Sequence, residues 1–131
     1  MKKIFIMDDD RQYVEIMRTL LEATGYDVSC ACSVKEGLAA APRVAPDLIL
    51  LDLKFEDDPE ADGIRIAGRF AADPVLKNTP VILISGFRSA PKLVRQNEAT
   101  GGATRIKFFL EKPVRPDKLL ARITELIGPA V

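Results

Sequence analysis

The chain has no histidine and only two cysteines among its 131 residues. A thiol-based metal centre would therefore lack partners, because imidazole is the usual companion ligand. Cys30 and Cys32 stand two apart on an expected strand, so they point the same way and do not suit a disulfide. They read as small apolar core residues in a reducing, cytoplasmic setting. An excess of charge of one sign is also missing: Lys plus Arg and Asp plus Glu number 19 each. That balance offers no broad basic surface to nucleic acid or to an anionic membrane. No apolar run reaches the roughly 18 residues that a membrane-spanning helix needs. The apolar stretch at the N-terminus is short and runs into three aspartates without a small-residue cleavage site, which excludes a signal peptide and leaves a strand. Internal repeats, linkers and low-complexity segments are absent, and the length implies one domain over residues 1–131.

What is present is alternation. Residues 2–7 read as a strand and 11–23 as a helix, with Val14, Met17, Leu20 and Leu21 at helical spacing and Gly25 as the stop. Residues 26–32 read as a second strand. Ser33 and Glu36 form a capping box for a helix ending near Pro42. Residues 48–51 are wholly apolar, as in a central strand covered on both faces. The acidic stretch 54–62 reads as a loop and 63–72 as a helix presenting Ile64, Ala67 and Phe70. Strands over 81–84 and 107–110 and helices over 89–98 and 116–127 complete the pattern. Five strands alternating with five helices predict a doubly wound parallel α/β sheet.

Acids fall where such a sheet keeps its site. Asp8, Asp9 and Asp10 follow the first strand and Asp52 closes the third. Ser85-Gly86 follows the fourth, and Lys112-Pro113 the fifth. Open α/β sheets bind ligands beyond the carboxyl ends of their strands. Carboxylates there have no packing rationale, since a buried charge is costly unless paired or metal-bound. Converging carboxylates select a hard divalent cation such as Mg²⁺.

Together these residues resemble the receiver domain of two-component response regulators, over residues 2–127. Each motif alone is common, whereas the four in order are specific. The resemblance implies the flavodoxin-like strand order 2-1-3-4-5, which is a standard example for such receivers. It implies that Asp52 is the phosphoacceptor in a self-catalysed, Mg²⁺- or Mn²⁺-dependent transfer. Asp9, Asp52 and the backbone carbonyl of Lys54 would hold the metal, with Asp8 acting through a water. Ser85, Gly86 and Lys112 would contact the phosphoryl group, Phe109 would be the switch aromatic, and Pro113 would follow a cis peptide. Lys54 and Phe87 would flank the path of hydrolytic water, and neither side chain orients water well, so autodephosphorylation would be slow. Implied partners are a histidine kinase or histidine phosphotransfer protein and a downstream protein docked on the face built from residues 89–98, 107–110 and 116–127. The resemblance admits a homodimer and implies no nucleic acid or membrane partner.

The chain departs from that pattern in places. Phe55 and Glu56 stand where the family commonly has Met-Pro. The loop to Gly63 is longer and more acidic than usual, the stretch from Ser85 to Lys112 is longer too, and Phe109 lacks a hydroxyl. Two rival readings follow from the same residues. One is a degenerate receiver that binds partners without phosphorylation. The other is a haloacid-dehalogenase-type phosphatase with Asp8 as nucleophile and Asp10 as acid/base, but Gln12 is atypical for it and Asp52 would have no role.

Overall fold

β-branched and leucine-rich runs bury both faces of a strand only when helices cover both sides of the sheet. The computed structural model, which describes residues 1–58, 62–86, 95 and 104–130, has that arrangement. Its elements are β1 (Lys3–Met7), α1 (Arg11–Thr24), β2 (Asp27–Ala31), α2 (Val34–Val44), β3 (Leu48–Asp52), α3 (Gly63–Ala72), β4 (Val81–Ser85), β5 (Ile106–Glu111) and α4 (Pro116–Ile127). All strand pairs are parallel, in the order β2-β1-β3-β4-β5.

Alternate residues along each strand feed two separate cores. Phe5, Met7, Ile49, Leu51, Val81 and Leu83 meet α2 and α3 residues such as Ala41, Ile66 and Phe70. Ile4, Ile6, Leu48, Leu50, Ile82 and Ile84 meet Val14, Met17 and Leu21 of α1 and Leu119 and Ile123 of α4. Asp8 and Asp52 continue the even-numbered positions of β1 and β3, on the side of α1 and α4.

Most strand ends differ from the sequence expectation by a residue, and two differences have consequences. Helix α2 runs past Pro42 to Val44. Proline removes one amide donor but leaves the last turn free to close, and Ala45 ends the helix in the left-handed region, its amide bonded to the Ala41 carbonyl. β2 is an edge strand ending at Ala31, so Cys30 and Cys32 are half-buried rather than core residues and both are free thiols. They border the α1-side core, and burial raises the Cys32 thiol above its ordinary value. The expected helix over 89–98 and Phe87 lie outside the described residues. No helix among the described residues is long and apolar enough to cross a membrane.

Candidate functional site

β1 and β3 are neighbours, so the acids at their ends converge. Oxygen atoms of Asp8, Asp9 and Asp52 lie within 4.8 Å of one another. Asp8 is buried at 3 % exposure. Its Oδ1 accepts from the Asp10 amide at 3.0 Å, and its Oδ2 accepts from Lys112 Nζ at 2.8 Å. Lys112 Nζ also stands 3.5 Å from Asp52 Oδ1. The lysine gets there because its amide bonds the Ser85 carbonyl at 2.7 Å, extending the β4–β5 pairing. The Lys112–Pro113 peptide is cis.

The electrostatics follow from crowding carboxylates at a half-buried edge. Burial first, and the Asp8 charge second, push Asp52 up to about 7, against the opposing pull of Lys112 and the Leu53 amide. Burial works against the Lys112 ammonium, but the hydrogen bond to Asp8 and the charge of Asp52 outweigh it and hold the lysine above its usual value. Three carboxylates with one compensating cation form a hard-oxygen donor set, and it fits a small divalent cation.

The β3–α3 loop is tied to this cluster. The Glu56 amide donates to Asp9 Oδ2 at 3.0 Å. Phe55 is buried at 3 % exposure in the α2–α3 core. The Asp57 carboxylate accepts from the Val34 amide at the start of α2, at 3.1 and 3.2 Å. Phe55-Glu56, the departure from the pattern expected by resemblance, thus supplies an apolar anchor and an amide clamp. Gly63 opens α3 hard against the end of β3, its amide 2.6 Å from the Leu53 carbonyl.

Among the other expected site residues, Ser85 is fully buried, and its hydroxyl has no hydrogen-bond partner among the described residues. Gly86 is exposed, with open space where a side chain would be. Lys54 is exposed two residues beyond Asp52. Phe109 is half-buried against the α2–α3 core and lines a cavity of about 350 Å³ with Pro113, Val114 and Lys118. Asp10 stands apart from the cluster and caps α1, accepting from the Tyr13 amide at 3.1 Å.

One neighbour escaped sequence reasoning. The Tyr13 ring lies under Lys112 Nζ, 4.5 Å from centroid to nitrogen. Its hydroxyl is buried without a partner among the described residues, and burial, foremost, pushes it up to about 12. Its contact crosses from α1 to the residue after β5, so spacing along the chain gave no signal for it.

Known proteins resemble this chain in sequence and fold. The model of the response regulator receiver domain matches residues 4–124. A DNA-binding dual master transcriptional regulator, RpaA of Synechocystis, is 31 % identical over 97 % of this chain and 49 % of its own length. The chain thus spans about half of that relative. The polar-differentiation response regulator DivK of Brucella ovis is 29 % identical, with 98 % of both proteins covered. The crystal structure of a CheY-like receiver domain protein from Methanospirillum hungatei superposes with a TM-score of 0.80 at 28 % identity, covering 95 % of this chain and 92 % of that one. A flavodoxin-like sheet with its carboxylates and lysine gathered at the carboxyl edge, matched by the family model over nearly its whole length, makes this chain a member of the response regulator receiver domain family.

Proposed function

We propose that residues 1–131 act as one receiver domain that takes a phosphoryl group on Asp52 from a histidine kinase or histidine phosphotransfer protein. The observation that carries this reading is Asp52 itself. It closes an otherwise apolar, buried strand, within reach of Asp8, Asp9 and Lys112. In the proposed step an Asp52 carboxylate oxygen attacks phosphorus. The new O–P bond forms as the N–P bond to the donor histidine breaks, and the imidazole leaves with the electron pair. Asp9, Asp52 and the Lys54 carbonyl would hold Mg²⁺ or Mn²⁺, with Asp8 acting through a water, and the ion would neutralise charge on acceptor and donor.

This chain's own residues do the rest. Lys112, poised 3.5 Å from Asp52, moves from carboxylate to phosphoryl oxygen. The unpartnered Ser85 hydroxyl donates to the phosphoryl group, with the open Gly86 beside it. That contact draws the loop after β4 inward, and the half-buried Phe109 turns towards the space released. The resulting change is read by a protein docked on the face of β5 and α4. A cytoplasmic setting and a homodimer belong to the same reading. Lys54 and Phe87 offer no carboxylate or amide to orient a water, so the label persists for many minutes.

The test is labelling by acetyl phosphate with Mg²⁺, read by intact mass. One phosphoryl group should be added to the wild type and none to Asp52→Asn. Asp10 caps a helix and so is ill placed as the acid/base of a phosphatase. Labelling that survives Asp52→Asn but is lost in Asp8→Asn would nevertheless establish that rival. A wild type that takes no label would establish the degenerate receiver.

A further inference from the structure

A lysine ammonium is a strongly hydrated charge on a flexible stem, and two carboxylates alone do not fix its position. The Lys112 ammonium meets Asp8 at 2.8 Å and Asp52 at 3.5 Å. It also lies over the Tyr13 ring, with the centroid 4.5 Å away. This is well inside the distance at which a ring face attracts a cation. The ring in turn is fixed from below. Tyr13 is the third residue of α1, and its amide is held by the Asp10 cap. Tyr13, Met17, Leu50, Ile84, Asp8 and Asp52 line a small cleft of about 10 Å³ beside the acids.

We propose that Tyr13 is a positioning residue of the acid pocket, its ring face holding the Lys112 ammonium between Asp8 and Asp52. The inference rests on the phosphoacceptor reading above and assigns the third aspartate a part in it: Asp10 fixes Tyr13, and Tyr13 fixes Lys112. It has two consequences of opposite sign. In the empty pocket the held ammonium competes with a divalent cation for the same carboxylates. During phosphoryl transfer the same ammonium is already placed to meet the developing phosphoryl charge.

The experiment compares wild type, Tyr13→Phe, Tyr13→Leu and Tyr13→Met. Mg²⁺ affinity is measured by calorimetric titration, and the acetyl phosphate labelling rate at saturating Mg²⁺. Removing the ring should tighten Mg²⁺ binding and slow labelling, each by roughly 2- to 20-fold, the size of a partly desolvated cation–π contact. Tyr13→Phe keeps the ring and should stay within about twofold of wild type in both, as the same contact predicts. Damage to the fold would weaken both properties together and so cannot imitate the opposite signs. If Leu should unfold, Met supplies the ring-free side chain. The proposal is overturned if ring removal leaves Mg²⁺ affinity unchanged or lowers it, or if Tyr13→Phe behaves like Tyr13→Leu. An Asp52→Asn control run beside them judges the phosphoacceptor reading separately, and the Mg²⁺ arm judges Tyr13 whether or not any label appears.

Discussion

At the scale of single residues the site is an arrangement of unfavourable charges. Asp52 sits where burial and the neighbouring Asp8 both disfavour its ionised form, and one lysine offsets them in part. The sign of the resulting pH dependence is definite. The folded carboxyl, pushed up to about 7, binds its proton more tightly than the unfolded one does. Its contribution to stability is therefore full below the unfolded carboxylate range and is lost as pH rises through about 7. Asn cannot ionise, so in Mg²⁺-free buffer Asp52→Asn should gain stability over wild type as pH goes from 5 to 8. The gain should be on the order of a few kcal/mol at most, read from urea midpoints. A gain independent of pH would contradict this origin. These residues were legible in the sequence because each polar group interrupts or closes an apolar run: Asp8, Asp9, Asp52, Ser85 and Lys112. Tyr13 and Asp57 were not. Their contacts reach across elements, to Lys112 and to Val34, and spacing along the chain carries no such information.

At the scale of elements the site depends on how closely α3 and the β3–α3 loop approach the end of β3. A Cβ at Gly63 would stand 2.5 Å from the Asp52 carbonyl oxygen and 2.7 Å from Leu83 Cδ1. Backbone cannot yield to that contact as a flexible side chain would. Gly63→Ala should therefore cost about 1–3 kcal/mol in chemical denaturation and weaken Mg²⁺ binding, because the shift falls on the peptide of Asp52. Gly68 lies in the same helix with open space around it and serves as the control; Gly68→Ala should leave metal affinity unchanged. Helix α3 and the last helix appear over the residues their periodicity predicted, 63–72 and 116–127. Their apolar stripes match one face of the sheet each. The longer α2 and the shorter β2 were missed for local reasons. A proline in the last turn of α2 leaves it able to close, and an edge strand buries one side only. The acidic stretch was read as a loop with no contact assigned to its acids, whereas Asp57 spends its carboxylate on the N-terminus of α2.

At the scale of the molecule, strand order decides which ends meet. With β1 and β3 adjacent, and β4 and β5 following, Asp8, Asp9, Asp52 and Lys112 collect along one edge between two cores. Under the proposed function, a phosphoryl contact at Ser85 would reach the β5–α4 surface through the half-buried Phe109. Beryllium fluoride, a phosphoryl mimic, should shift backbone amide signals at Ser85 and around Phe109 as well as at Asp52. Shifts confined to Asp8, Asp9 and Asp52 would mean that this chain lacks the relay. The central claim concerns one atom of one side chain, and its most direct test is chemical trapping. Protein labelled with acetyl phosphate and Mg²⁺ is reduced with borohydride, which converts an aspartyl phosphate to homoserine, and its peptides are then sequenced by mass spectrometry. Homoserine at position 52 and nowhere else is the predicted result. Homoserine at position 8, with Asp52 recovered intact, would contradict the assignment.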